Sequence, residues 1–462
     1  MSVERRDQQN LNLVTGAFNT PRGIAKRYSD SEQLELLSSR WTRIRLRAKE
    51  KETIFNNLLH HINVETLSEA YKALDGSKAI GVDGISKTEY GKNLEFNLKE
   101  LVERIHKGSY KPQVKREAFI PKADGRKRPL AIACFEDKLI EFVVAKVLEN
   151  IYEPQFIRNS FGFRPKKSAD DAIKACYYSH KDNKRPFVVE IDFVNFFNTI
   201  PHRKVMKVLG YKISDKRFKG LIGRLLKVGI LDQSGEVKPT QVGTPQGSIV
   251  SPILANIYLN EVLDQWFVNN YGSYSNIMVR YADDAVFFFK SEEEAMKFKS
   301  DLEERVTLYG LSLHPEKTTT VNFKRSENNH FDFLSFRFFW GKKRRSVRRP
   351  LLIKTQKKQL LKKAQDFDHW IKEVRSRMRL KDIWALAKSK LIGHYNYFGY
   401  WMNKQKLNHF YCEVKKSLFK WLNRRSQKAS FTWEQFERKI KHHLPKPPTM
   451  SKLKPLGVST YV

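Results

Sequence analysis

Hydrophobic residues along the chain follow two periods, one of two residues and one near 3.6, which predicts strands mixed with helices. The helical period is clearest in residues 136–156, 93–110 and 292–309. Residues 187–191, FVVEI, are instead strongly apolar apart from Glu190, which is typical of a buried strand. Strands separated by helices and followed by a helical C-terminal end predict an α+β fold rather than a doubly wound sheet.

Two hairpins are predicted by the same pattern. Residues 116–133 suggest a strand up to Ile120, a turn at residues 123–125 and a returning strand. Residues 278–289, MVRYADDAVFFF, suggest two short strands that meet at a tight turn. Other predicted elements are helices within 31–61, 65–76 and 244–267, a helical stretch up to about 229, and further strands up to Trp340.

Asp283 and Asp284 lie at the tip of the second predicted hairpin. A solvated turn is the ordinary interpretation, because Asp is a common turn residue. Asp192, however, directly follows the buried strand FVVEI, and two paired strands can bring it beside the other two acids. Three carboxylates at one point oppose each other's ionisation and need cations, and hard divalent ions such as Mg²⁺ prefer oxygen ligands. The interpretation is then a two-metal site for phosphoryl transfer.

Length, net charge and cysteine content limit the class of protein and the kind of partner it binds. The 462 residues suggest two to four domains, and the net charge of +36 favours a polyanion, with nucleic acid preferred over an anionic membrane. No apolar run approaches the roughly 18 residues of a spanning helix, and the polar N-terminus does not resemble a signal peptide, so we expect a cytoplasmic protein. The three isolated cysteines make a disulfide framework or a cysteine zinc site improbable.

The charge is concentrated in residues 341–462, which hold 32 Lys and Arg against 7 Asp and Glu. A solvated helix face or a disordered segment would be the ordinary interpretation of one basic run. Here aromatic residues are interleaved with the charges, which favours a folded helical domain with a basic face. They are Trp370, Trp384, Tyr395, Tyr397, Phe398, Tyr400, Trp401, Phe410, Phe419 and Trp421.

Several motifs together resemble a known family. YADD (281–284) and EIDFVNFFNTIPH (190–202) are similar to the palm of a reverse transcriptase. The wider set resembles the bacterial group II intron reverse transcriptase and maturase family, in that family's order, from about residue 60 to 430. The other motifs are GVDGIS (81–86), PKADGRKRPLAI (121–132), NSFGFRPKKSADDAI (159–173), TPQGSIVSPILANIYLN (244–260), LHPEKT (313–318), FLSF (333–336) and LIGHYNYFGYW (391–401).

The resemblance implies a right-hand polymerase with helical fingers, an antiparallel-sheet palm and an all-helical basic thumb or maturase domain. The expected segments are a basic helical extension (1–58), fingers (59–186), palm (187–340), thumb (341–430) and a short basic C-terminal tail (431–462). It also implies that Asp192 and Asp283 bind two Mg²⁺ ions, with Mn²⁺ a substitute, that Asp284 supports the second ion, and that the carbonyl of Phe193 adds a ligand. Lys317 is the candidate general acid for the departing pyrophosphate.

The nucleotide contacts are implied in the same way. Phe197 matches the ring that excludes a 2′-hydroxyl, although a core Phe is the alternative. Lys122 and Arg128 match positions that grip the triphosphate, although either could be an ordinary surface charge. Gln246 and Gly247 lie on a loop that passes beneath the nucleotide, since Gly permits close approach.

The implied partners are an RNA template, a DNA primer, dNTPs and group II intron RNA, with no membrane; the sequence does not specify an oligomeric state. Arg164 is expected to support the template or the finger loop, with a structural role as the alternative. The basic run is expected to contact RNA through Lys342, Lys343, Arg344, Arg345, Arg348 and Arg349.

The sequence departs from the family pattern in three places. Residues 131–134, AIAC, lack the usual proline, and Asn198 replaces a common acid. Many members carry a C-terminal zinc endonuclease with paired cysteines. This sequence has no paired cysteines, so we expect no second-strand cleavage. Two alternatives to an intron-mobility polymerase stay open: a non-catalytic RNA-binding maturase, and a polymerase of the same build used in host defence or DNA repair.

Overall fold

The computed structural model of the protein describes residues 39–50, 52–121, 127–272, 276–342, 349–425 and 431–456, with the backbone alone for 121, 127 and 128. Helices and strands are numbered below in chain order. None of the helices in these ranges is both long and apolar enough to cross a membrane.

The N-terminal part is mainly helical and contains the first predicted hairpin. Its elements are α1 (Arg40–Arg47), α2 (Val64–Ala73), α3 (Lys87–Gly91), α4 (Leu94–Lys107), β1 (Lys115–Pro121), β2 (Lys127–Ile132), α5 (Phe135–Tyr152) and α6 (Ala169–His180). β1 and β2 pair antiparallel with Ala118 opposite Leu130, which confirms the hairpin; its predicted turn lies outside the described residues.

The helix predicted within residues 31–61 is shorter than expected. Residues 1–38 lie outside the described part, and α1 ends at Arg47. Farther on, the backbone of Phe55 accepts from Ser214 N–H and donates to the carbonyl of Lys212, both at 2.8 Å. The backbone of this segment is therefore used in a tertiary bridge, which a helix would not permit.

The central part contains the sheet that carries the acids. Its elements are β3 (Phe187–Ile191), α7 (Phe196–Thr199), α8 (His202–Gly210), α9 (Lys216–Lys227), β4 (Ile230–Leu231), β5 (Val237–Lys238), α10 (Ser251–Leu259), α11 (Gln265–Asn270), β6 (Ile277–Tyr281), β7 (Asp284–Phe289), α12 (Glu292–Leu308) and β8 (Thr319–Asn322). A π-helical turn, Asn260–Asp264, joins α10 to α11. The strand order is β6-β7-β3-β8, and every pair is antiparallel.

Both faces of this sheet are buried. Val189 and Ile191 of β3 belong to a core shared with α5, α10 and α12, whereas Val188 belongs to a second core shared with the C-terminal helices. Burial on both faces explains why FVVEI is almost continuously apolar rather than alternating.

A second antiparallel sheet follows, with the order β11-β10-β9. It consists of β9 (His330–Phe333), β10 (Phe336–Trp340) and β11 (Leu351–Thr355). β11 lies inside segment 341–430, so that segment is helical only from Lys357 onward. The helices are α13 (Lys357–Val374), α14 (Leu380–Phe398), α15 (Lys404–Leu422) and α16 (Trp433–His443).

α16 lies in the segment expected to be a short tail. Phe436 and Ile440 on this helix are almost fully buried and pack in the second core. The segment is therefore part of the C-terminal domain. Helices mixed with antiparallel sheets confirm the α+β class.

Candidate active site

The strand register brings Asp192 and Asp284 to the same edge of the sheet. Glu190 pairs with Val286 and Ile191 with Ala285, so the next position outward sets Asp192 opposite Asp284. Tyr281 pairs with Asp284 across the hairpin, which leaves Ala282 and Asp283 as the two turn residues. The two strands thus carry all three acids to one end of the sheet.

The hairpin turn is held by a buried arginine that the sequence interpretation did not single out. Arg280 and Asp264 are both 0% exposed and form an ion pair with Nη2 2.5 Å from Oδ2. Arg280 also donates to Asn256 Oδ1 at 3.1 Å and to the carbonyl of Ala282 at 2.7 Å. Ala282 has a left-handed φ of 58°, so this bond stabilises a strained residue directly before Asp283. A lone charge inside an apolar strand was the available signal, because such a charge needs a buried partner.

Lys317 contacts the first catalytic candidate. Its Nζ lies 2.5 Å from Asp192 Oδ2. The loop that carries Lys317 is tied to the end of β3, since His314 N–H donates to the carbonyl of Asp192 at 2.7 Å and Val194 N–H to that of Ser312 at 2.9 Å. Phe193 forms an isolated bridge with Leu313 in the same place and is buried. The structure therefore brings Lys317 to the acids, 125 residues from Asp192 in sequence.

The electrostatics of the sheet edge favour a cation. The pKa of Asp284 is raised to about 7, mainly by burial and in smaller part by the neighbouring Asp283 and Asp192, whereas the hydrogen bond from Leu334 N–H opposes the shift. Burial likewise raises the pKa of Glu190 to about 8, with Asp332 and Asp284 adding to the effect. Like charges crowded in a poorly solvated place are stabilised by positive charge.

The residue types fit a divalent ion. Carboxylate and main-chain oxygens are the ligands Mg²⁺ prefers, and its sites are commonly completed by substrate phosphates. Among the described residues, no three His, Cys, Asp or Glu side chains are arranged closely enough to hold a metal by themselves. Two of the acids are engaged with other groups in this structure: Asp192 contacts Lys317, and Asp284 accepts from Leu334 N–H at 3.3 Å.

The loop with Gln246 joins the fingers hairpin to the region of Phe197. Ala131 N–H of β2 donates to the carbonyl of Gln246 at 2.7 Å, and Thr244 N–H donates to that of Phe197 at 2.7 Å. Gly247 has φ of 103°, and a Cβ there would lie 3.1 Å from the carbonyl oxygen of Ala131. The loop therefore needs glycine for both conformation and space.

Phe163 is a further candidate that the sequence interpretation did not identify. It is 52% exposed, has φ of 55°, and its ring lies edge-on to that of Phe197 at 6.3 Å. Its neighbour Gly162 is packed against the backbone of Ala282, where a Cβ would lie only 2.3 Å from the amide nitrogen. An exposed ring on a strained backbone beside Asp283 is typical of a functional position.

Arg164 has the structural role that was left open. Its guanidinium, almost fully buried, contacts Glu153 at 2.8 Å and donates to the carbonyls of Ile157 and Ser160, both at 2.6 Å. These contacts fix the loop that presents Phe163.

Arg349 requires a correction. Rather than projecting toward RNA, it donates to the carbonyls of Gly341 at 2.9 Å and Arg325 at 3.0 Å and to Asn328 Oδ1 at 2.9 Å. Its donors are used to connect β10 to the loop before β9.

The other residues expected to contact nucleotide or RNA are as follows. Lys342 is exposed. Lys122, Lys343, Arg344, Arg345 and Arg348 lie outside the described residues, and the side chain of Arg128 is not described.

Basic side chains of the C-terminal helices cluster on aromatic rings. Around Trp421, Arg375 lies 4.9 Å and Lys420 4.6 Å from the ring centroid. Lys390 lies 4.9 Å from the ring of Trp370. Cations held on aromatic surfaces are a common arrangement in nucleic-acid-binding proteins.

Comparison with known proteins agrees with this geometry. Residues 120–338 match the family described as "Reverse transcriptase (RNA-dependent DNA polymerase)". This part of the chain is therefore similar to reverse transcriptases, and one of the relatives is named as a group II intron-encoded protein.

Several curated proteins match part of the chain. Protein YkfC of Escherichia coli is 35% identical over 45% of this chain and 55% of its own length. Group II intron-encoded protein LtrA of Lactococcus lactis is 38% identical over 42% of this chain and 32% of its own. Nuclear intron maturase 4 of Arabidopsis thaliana is 22% identical over 49% of this chain and 28% of its own. The matches thus span about half of these relatives or less.

Proposed function

We propose that this chain is an RNA-directed DNA polymerase that adds dNTPs to the 3′-hydroxyl of a primer. The observation that carries the proposal is the register that sets Asp192 opposite Asp284, with Asp283 in the turn beside them. A protein that only binds RNA gains little from three acids at one sheet edge, because carboxylates repel phosphates.

In phosphoryl transfer the side chains of the site would have different roles. Asp192, Asp283, Asp284 and the carbonyl of Phe193 would hold Mg²⁺, which when bound would supply the positive charge that activates the 3′-hydroxyl and neutralises the pyrophosphate. Lys317, which contacts Asp192, would protonate the leaving pyrophosphate. Phe197 would exclude a 2′-hydroxyl, and the loop of Gln246 would support the nucleotide from below.

The first test is dTTP incorporation on a poly(rA) template with an oligo(dT) primer, with Mg²⁺ and with EDTA. Asp283→Ala should reduce the rate by about 10³-fold or more, since charge stabilisation of the transition state is lost. The matched control is Asp366→Ala, which removes an exposed carboxylate on α13. Metal-independent incorporation, or equal loss in both variants, would contradict the proposal.

We further propose that the C-terminal helices bind group II intron RNA and assist splicing. The concentration of basic charge in residues 341–462 and the names of two relatives support this. Affinity for intron RNA should fall steeply with salt, and Asp283→Ala should leave it within about twofold of wild type because the acids would hold metal rather than RNA.

RNA binding without any DNA synthesis by a folded wild type would favour the non-catalytic maturase. Absence of flanking intron RNA in the genome would favour a defence or repair role.

A further inference from the structure

The edge of the second sheet is attached to the first by carboxylates. β9 pairs with β10 on one side only. On its other side, Asp332 N–H donates to Glu190 Oε2 at 3.2 Å and Leu334 N–H donates to Asp284 Oδ2 at 3.3 Å. Acids of β3 and β7 thus accept from one N–H at the edge of β9 and from the N–H of the first turn residue after it.

The turn between β9 and β10 is built from residues that do not favour its conformation. Leu334 has φ of 48° and Ser335 φ of 69°, although neither is glycine. Phe333 pairs with Phe336, so these are the two central residues of a tight hairpin. Two positive φ values are typical of a type I′ turn, which normally prefers Asn or Gly. Contacts from outside the turn must therefore help to hold it.

One such contact comes from the C-terminal domain. The hydroxyl of Tyr397, on α14, donates to the carbonyl of Leu334 at 3.0 Å. The Tyr397 ring stacks on Phe336 of β10 with centroids 6.0 Å apart. Partial burial, with Tyr281 and Asp284 close by, raises the pKa of Tyr397 to about 12, so the hydroxyl keeps the proton that it donates.

Leu334 is therefore shared by two parts of the molecule. Its N–H contacts an acid of the catalytic site, and its C=O contacts a helix of the C-terminal domain. The Leu334 peptide groups thus form a direct link between α14 and Asp284.

We infer that Tyr397 is a positioning residue through which the C-terminal helices set the Asp284 carboxylate by way of Leu334. The expected effect on rate rests on the proposed function, because the position of Asp284 affects DNA synthesis only where that acid takes part in catalysis. This arrangement couples nucleic-acid binding by the C-terminal helices to catalysis: DNA synthesis is fastest when α14 packs against the β9–β10 hairpin.

Tyr397→Phe tests this, because it keeps the ring and its stacking and removes only the hydroxyl. The matched control is Tyr395→Phe on the same helix, whose hydroxyl donates to the carbonyl of Pro445 at 3.2 Å, away from the acids. We expect Tyr397→Phe to lower kcat for dTTP about fivefold, the effect of one lost hydrogen bond, with KM for template–primer within twofold of wild type. Tyr395→Phe should change neither. A merely structural role would instead affect both variants alike or would change KM.

A second measurement does not depend on activity. Mn²⁺ binding to the full chain, followed by the EPR signal of the free ion, should weaken about threefold or more in Tyr397→Phe and stay unchanged in Tyr395→Phe, because groups behind a metal ligand tune its affinity. Equal kcat and equal Mn²⁺ affinity in the two variants would overturn the inference. If the wild type bound Mn²⁺ with this difference but made no DNA, the positioning role would stand and the proposed polymerase function would fail. No Mn²⁺ binding by the wild type would contradict both.

Discussion

Lys317 and Asp192 form an ion pair, with Nζ 2.5 Å from Oδ2, at the edge where β3 meets the YADD hairpin. The lysine is 60% exposed at its side chain, so it can leave the acid without breaking the core. This pair puts a mobile proton donor beside the proposed site of phosphoryl transfer.

Lys317→Met should therefore lower the rate of single-nucleotide incorporation by about 100-fold, the usual contribution of a general acid, with a smaller change in KM for dNTP. Rapid-quench kinetics under single-turnover conditions measure this. Lys290→Met, at an exposed lysine just after β7, is the control. An unchanged rate in Lys317→Met would exclude proton donation by this residue.

Phe197→Ala should admit ribonucleotides, because the ring that would clash with a 2′-hydroxyl is removed. We expect the ratio of kcat/KM for dTTP to that for UTP to fall at least about tenfold. Phe96→Ala, which removes a 70% exposed ring on α4, should leave the ratio unchanged. If Phe197→Ala kept full selectivity, the ring would be a core residue and not a sugar gate.

Arg280→Met should destabilise the protein by about 3–5 kcal/mol, because it leaves the buried Asp264 without its partner. Adding Asp264→Leu should recover most of that free energy, measured by urea unfolding. DNA synthesis should remain low in the double variant, since the bond from Arg280 to the carbonyl of Ala282 is still missing. Full recovery of synthesis would show that Arg280 serves stability alone.

Stability should fall in acid because of His180. Burial lowers the pKa of this histidine from 6.5 to about 3, with Arg185 and Arg325 adding to the effect. Between these values the unfolded chain binds a proton that the folded chain does not, so the free energy of unfolding decreases as pH falls below 6.5. The loss attributable to this group reaches about 3 kcal/mol at pH 4.

His180→Leu tests this dependence. The ring packs among aromatic side chains, with Phe323 at 4.8 Å and Phe288 at 5.5 Å between centroids, so an apolar replacement is compatible with its surroundings. The slope of unfolding free energy against pH between 6 and 4 should be smaller in His180→Leu than in wild type. His409→Leu, at an exposed histidine on α15, should keep the wild-type slope.

Local pattern was enough to predict the YADD hairpin, the strand FVVEI and helices such as α5 and α12. In these segments side-chain periodicity and turn residues agree with the tertiary fold, so a local rule succeeds. The same rule failed at residues 48–61, where Phe55 pairs with residues 212–214, and missed β11, which pairs with β10 across a basic segment. Pairing between distant strands leaves little trace in local periodicity.

The chemistry available to this protein could be read from its residues: acids at strand ends, a basic and aromatic C-terminal segment, and an ordered set of polymerase-like motifs. How those groups are used depends on the fold. For Arg164 a structural role had been left open beside support of the template, and for Arg349 a contact with RNA was expected; in the structure both guanidinium groups donate to backbone carbonyls. Arg280, Phe163 and Tyr397 gained their proposed roles from neighbours such as Asp264, Phe197 and Leu334, which are 16 or more residues away in sequence. Residue type sets what a side chain can do, whereas burial and the groups that surround it decide which of those possibilities is realised.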